Sequence, residues 1–255
     1  MVEIAYFKLF VLVLARFSGL MVSAPFLGSA NIPVAAKAGL AGMAAVVVSP
    51  TLLPLADPLP DTALVFALYG AGEFIIGLMV GFTLTFIFSA IQLAGQVIDL
   101  QTGFGMMNVF NPALETQFPI FGFFLFILAV VYLLVLNGHH LMIVGLIATY
   151  DHAPIGGLSV RPELMFEFTR LGQLMFVDGM IIAAPLASAM LLAYMTMGLL
   201  GRVVPQIHLF VVGFPLTIGV SLLLMSLIIG VYTQTLERMF GRMFRNLDLF
   251  IRALG

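Results

Sequence analysis

The sequence predicts an all-α polytopic membrane protein of about six long helices, and three observations carry that prediction. Of its 255 residues, 62% are hydrophobic and only 9% are charged, against about 25% charged in ordinary soluble domains. So few charges cannot cover a globule of this size, so lipid or neighbouring subunits must cover the rest. The apolar residues are also gathered into runs long enough to cross a bilayer, separated by proline- and glycine-rich breaks. A net charge of −2 offers no basic field to nucleic acid. The absence of cysteine excludes disulfides, thiolate metal sites and cysteine nucleophiles together.

The first run, Ile4–Leu27, ends at a turn around Pro25. It superficially mimics a signal peptide, but Glu3 precedes it, a basic front end is missing and Arg16 sits late within it. It therefore reads as a retained helix. The second run, Ala35–Leu53, ends in "SPTLLPLADPLPD", a loop because proline removes donors and pushes the residue before it out of the helical region. The third starts near Thr62 and reaches Gln101 without a proline. About forty helical residues extend about 60 Å, twice the roughly 30 Å hydrocarbon core, so this helix must protrude, tilt or bend. Within it Gly77 and Gly81 form a GxxxG pair, which either admits another helix backbone or is incidental.

The fourth run, Phe118–Leu136, can continue past "NGHH" to Thr149. A polar break, "YDHAPIGGLSVRPE", follows, and "ELMFEFTRLGQLMF" then reads as a short amphipathic helix. The fifth run is Leu174–Leu200, with Pro185 in its body, and the sixth is Leu209–Leu236. Residues 1–150, 163–236 and 237–255 thus divide into an N-terminal helical part, C-terminal hairpins and a tail. In the tail Phe240, Met243, Phe244, Leu247, Ile251 and Leu254 keep helical spacing, with Arg238, Arg242 and Arg245 on another face. Basic residues beside a span favour the cytoplasm, which places the C-terminus there; an interfacial helix and a partner-docking helix both fit the tail. Lys37 and Arg202 then fall on the opposite side, so positive-inside counting contradicts itself: either the count is wrong or some segments are not ordinary lipid-facing spans.

Ionisable groups in or beside apolar runs are Arg16, Glu73, Asp99, Glu115, Asp178 and Arg202. Glu73, Asp178 and Arg202 lie near span ends, where reaching the interface is the expectation. Arg16 is flanked by apolar residues and needs a partner between helices or subunits. His139, His140 and His152 with Asp151 show no spacing that suggests metal coordination. No G-x-S-x-G, H-E-x-x-H, P-loop or G-x-G-x-x-G is found, so no enzyme, metal or cofactor is expected.

The stretch "DLQTGFGMMNVFNPALETQ", residues 99–117, interrupts two of the longest apolar runs. Gly103 and Gly105 break the helix, and Asn108, Asn111 and Pro112 keep it from resuming. Phe104, Met106, Met107 and Phe110 make the break apolar, and methionine packs around irregular shapes. Non-helical backbone at membrane depth survives where protein buries it or where it lines a cavity. A seal across a conduit and an ordinary loop at the membrane surface both fit.

Four blocks resemble the FliR family of flagellar export-gate proteins and its injectisome counterparts, the SctT-type proteins. They are "ARFSGLMVSAPFLG" at Ala15–Gly28, "AGQVIDLQTGFGMMNVFNP" at Ala94–Pro112, "NGHHLMI" at Asn137–Ile143 and "GRVVPQIHLFVVGFPL" at Gly201–Leu216. They span nearly the whole chain, and the flagellar branch is the more similar. His208 departs from the asparagine that the family pattern has after "PQI". The resemblance implies tilted helical hairpins, a FliP-like part joined to a FliQ-like part. It implies assembly with FliP-like and FliQ-like subunits into a pore for unfolded polypeptides, with an FlhB-like subunit at the cytoplasmic side, in the bacterial inner membrane within the flagellar basal body. It places the pore plug on Gly103–Pro112. Structural or assembly roles are expected of Arg16, Pro25, Gly77, Gly81, Arg202, Pro205 and Gln206. A self-contained secondary transporter is the rival from another class. It usually has a matched pair of helix breaks in two repeats, and only one strong break is visible here.

Overall fold

The computed structural model describes residues 2–53, 59–104, 119–159, 161–204 and 209–254. Among these, the α-helices are α1 (Val2–Ser23), α2 (Val34–Val48), α3 (Ala63–Thr102), α4 (Ile120–Val135), α5 (Gly138–His152), α6 (Pro162–Val203) and α7 (Leu209–Leu254). A single 3-10 turn, Ser49–Leu52, follows α2, and no strand occurs among the described residues. Among the described residues, five helices are long and apolar enough to cross a membrane, or up to six spans if α4 and α5 count as one. The all-α polytopic class is therefore the observed one.

Local chemistry explains most boundaries. α1 gives way to a turn in which Pro25 is buried, Phe26 takes φ 66, and the Gly28 N–H donates to the Ala24 carbonyl at 2.8 Å. The fourth apolar run breaks at Asn137, whose φ of 54 lies in the left-handed region that asparagine tolerates better than most residues. α6 begins with Pro162 at its first position, where the missing N–H costs nothing.

Two predicted divisions are absent. "ELMFEFTRLGQLMF" is no separate short helix but the first part of α6, which runs 42 residues. The tail likewise continues the sixth span without a break, in the 46-residue α7. An internal glycine such as Gly172 costs about 1 kcal/mol relative to alanine. Ending one helix and starting another instead leaves about eight backbone groups to satisfy, so continuation wins.

The chain forms two compact units that do not follow chain order. One comprises Met1–Phe86, Leu136–Leu171 and Gly241–Gly255; the other comprises Ile87–Val135 and Gly172–Phe240. In the first unit α1 meets α3 through glycines on both helices. A Cβ on Gly77 would strike the Arg16 carbonyl, one on Gly81 would strike Ser23, and one on Gly19 would strike the Phe74 carbonyl. The Thr85 hydroxyl donates to the Ser23 carbonyl at 2.7 Å across this contact. Gly77→Leu should cost about 1–3 kcal/mol through forced separation of the backbones. The thermal midpoint of the detergent-solubilised chain measures this, with Gly39→Leu, where a side chain meets open space, as the control.

The tail's apolar stripe is also spent within the first unit. Met243, Leu247, Phe250, Ile251 and Leu254 are buried. Leu247 packs on Gly145, Phe250 meets Phe168 edge-on at 5.1 Å between ring centroids, and Arg170 Nη2 donates to Asn246 Oδ1 at 3.2 Å. Those five side chains are therefore covered within the chain itself, and the amphipathic start of α6 supplies part of the cover. In the second unit Phe240 and Phe88, both buried, lie 5.7 Å apart between ring centroids.

Candidate functional site

In the second unit, the end of α3 and the start of α4 hold the two ends of the glycine- and methionine-rich interruption. Asp99 is almost wholly buried. Its Oδ1 accepts the Phe121 N–H and its Oδ2 the Gly122 N–H, each at 3.0 Å. Those N–H groups belong to the first turn of α4 and have no partner within that helix. One carboxylate therefore satisfies two of them and sets a negative charge at the positive end of the helix dipole. One turn earlier on α3, a Cβ on Gly95 would fall on the Gly122 backbone, so Gly95 must lack a side chain for the helices to meet, whereas a Cβ on Gly122 would press on the Pro119 ring.

The same end of α3 is also held by α6. The Tyr194 hydroxyl donates to the Gln101 carbonyl at 2.6 Å, while within α3 itself the Thr102 hydroxyl donates to the Asp99 carbonyl at 3.3 Å. α3 stops at Thr102, and Gly103 takes φ +90 with the Phe214 ring packed where a Cβ would stand. That backbone is strained for any residue with a side chain. Phe104 meets Phe121 edge-on, 5.5 Å between ring centroids. The segment that leaves at Gly103 and returns at Pro119 is thus anchored at both ends to one pair of helices. Of the predicted plug residues, Gly103 and Phe104 are placed here. Gly105, Met106, Met107, Asn108, Phe110, Asn111 and Pro112 lie outside the described residues, as do Pro205 and Gln206.

A second constellation lies in the first unit. Arg16 Nε donates to Glu73 Oε2 at 2.6 Å, Nη1 to the Thr149 hydroxyl at 2.7 Å and Nη2 to the Ala153 carbonyl at 2.9 Å. The guanidinium carbon stands 3.8 Å from the centre of the Tyr150 ring, a cation–π contact. Glu73 Oε1 accepts the Gly156 N–H at 2.9 Å. Arg16 is 0% and Glu73 1% exposed, so the pair makes up for its lost hydration entirely with protein groups. It ties α1 to α3, to the end of α5 and to the turn after it. The Lys8–Asp61 pair, 2.9 Å apart at the surface, differs in kind. The hydrogen bond and charge of Lys8 hold the Asp61 carboxyl below its ordinary range, but water screens such a pair and it contributes little.

The expectation that Glu73 and Asp178 reach the interface is overturned, since both are buried. Glu73 lies on the face of α3 turned to α1, where the Arg16 charge outweighs any gain from hydration. Arg202 is exposed at the end of α6. Two important roles escaped the sequence reading, those of Glu73 and Asp99. One signal was there: Arg16 needs an anionic partner, and few carboxylates fall inside apolar runs. Among the described residues no three metal-ligating side chains come together.

Residues 7–243 match the family described as "Bacterial export proteins, family 1". The chain is 32% identical over 252 residues to the flagellar biosynthetic protein FliR of Escherichia coli strain K12, covering 98% of this chain and 95% of that protein. It is 27% identical over 254 residues to the protein of the same name from Bacillus subtilis strain 168, covering 98% and 96%. The Caulobacter vibrioides FliR matches at 29% over 224 residues, covering 85% and 87%.

Proposed function

The chain belongs to the bacterial export proteins, family 1, and is a membrane component of the flagellar export apparatus; from that premise we propose that it forms part of the channel through which unfolded flagellar proteins leave the cytoplasm. FliP-like and FliQ-like subunits complete the channel in the inner membrane, an FlhB-like subunit docks at its cytoplasmic side, and the C-terminus of this chain lies in the cytoplasm. The segment Gly103–Pro112 closes the channel at rest, with Phe104, Met106, Met107 and Phe110 packed across the lumen. Soft thioether and phenyl side chains exclude water and ions and still yield to a passing polypeptide. Gly103 and Gly105 serve as hinges, and Arg16 and Arg202 hold helices or subunits together.

The observation that carries this reading is the anchoring of both ends of the segment by Asp99, Gly95 and Gly122. A closure element must return to one place after each opening, and a segment with two fixed ends does so. Deleting Gly103–Asn108 should leave the complex assembled but make the membrane leaky to small solutes. Unchanged permeability in a correctly assembled mutant refutes the plug. The relatives named above are all flagellar, which favours the flagellar branch over the injectisome.

A further inference from the structure

Two glutamines stand exposed in the middle part of the second unit's share of α3. Gln92 and Gln96 stand one turn apart on α3, both exposed, inside the uncharged stretch from Phe74 to Ile98. The serine and threonine hydroxyls of the neighbouring spans donate to their own helix and so arrive in lipid already satisfied. Ser188 bonds the Pro185 carbonyl, Thr196 that of Leu192, Ser226 that of Leu223 and Thr233 that of Gly230. A glutamine amide, with two donors and an acceptor at the end of a longer chain, makes no such bond here. The other exposed glutamines among the described residues, Gln173 and Gln234, lie three residues from Arg170 and Glu237, as Gln96 does from the buried Asp99; Gln92 has no charged residue within a turn. Gln92 and Gln96 also border a groove of about 250 Å³ whose remaining lining is Pro119, Gly122, Phe123 and Phe126. Pro119 and Gly122 belong to the anchor of the Gly103–Pro119 segment, so the groove is continuous with that site.

We propose that the Gln92/Gln96 face of α3 lines the export passage and hydrogen-bonds the backbone of the polypeptide in transit. This rests on the export-channel reading above. Uncharged amides suit that occupant because peptide groups recur in every sequence. Each glutamine can donate to a carbonyl and accept from an N–H without selecting for charge, while Phe123 and Phe126 offer the apolar wall that passing side chains require. Lipid offers such amides no partner.

The test places a photo-crosslinking amino acid in turn at Gln92, Gln96, Met106 and Leu227 in the complete export complex. An export substrate ending in a folded domain too wide to pass is then arrested in the complex. Leu227, exposed on α7 in a wholly apolar stretch, serves as the comparison position. Gln92 and Gln96 should crosslink to the arrested substrate several-fold more strongly than Leu227, and lose that crosslink when no substrate is present. Crosslinking from Met106 but not from the two glutamines overturns this inference and leaves the channel reading standing. Crosslinks from the glutamines to another subunit, unchanged by substrate, also overturn it and make the face a docking surface. Failure at Gln92, Gln96 and Met106 alike overturns the channel reading itself.

Discussion

Arg16→Ala should destabilise the chain by about 3–5 kcal/mol, the cost of leaving one member of a buried ion pair without its partner. The Glu73 carboxylate would keep only its bond from the Gly156 N–H, in surroundings where water cannot replace the guanidinium. Thr149 and the Ala153 carbonyl would lose their donor at the same time, and the Tyr150 ring its cation. The loss is measured as a lower thermal midpoint of the detergent-solubilised chain and a lower yield of assembled complex. A double substitution separates pairing from packing. Arg16→Met with Glu73→Leu removes both charges and keeps the volume, and should recover most of the lost stability. A double variant as unstable as Arg16→Ala would show that the guanidinium acts through its bonds to Thr149 and Ala153 rather than through Glu73.

Asp99→Ala should have the second largest effect, on the order of 3 kcal/mol, because two charge-assisted hydrogen bonds vanish and two buried N–H groups are left unpaired. The signature is local. Amide hydrogen exchange at Phe121 and Gly122 should accelerate far more than exchange in the middle of α4, since the first turn opens once its cap is gone. Asp99→Asn keeps an acceptor oxygen and should lie between wild type and alanine on both measures. If the segment between Gly103 and Pro119 is the closure element, Asp99→Ala also admits small solutes under conditions where the complex remains intact. Equal exchange rates in wild type and variant would remove Asp99 from its anchoring role.

These two carboxylates mark where reading the chain alone stops. Arg16 was visible as a charge in need of a partner, yet Glu73 lies 57 residues away and Ala153 lies 137 away. No local spacing joins them. Asp99 stood inside the conspicuous interruption, but the N–H groups that it caps follow it by 22 and 23 residues, beyond the interruption. Gly77 and Gly81 were legible as a place where a backbone could approach. That the backbone is that of α1, with Gly19 answering from the other side, depends on the packed unit. The tail's helical period was also legible, but the owner of its apolar face was not, because Phe168 and Gly145 come from elsewhere in the chain.

By itself the sequence determined the class of the protein, its apolar spans and the break at Gly103. Each of these follows from composition or from backbone preferences felt within a turn or two of the residue concerned. Only the tertiary structure decided which charges are paired, which glycines meet, and that α6 and α7 each run on through a predicted boundary. Those outcomes depend on burial, and burial is set by segments far apart in the chain.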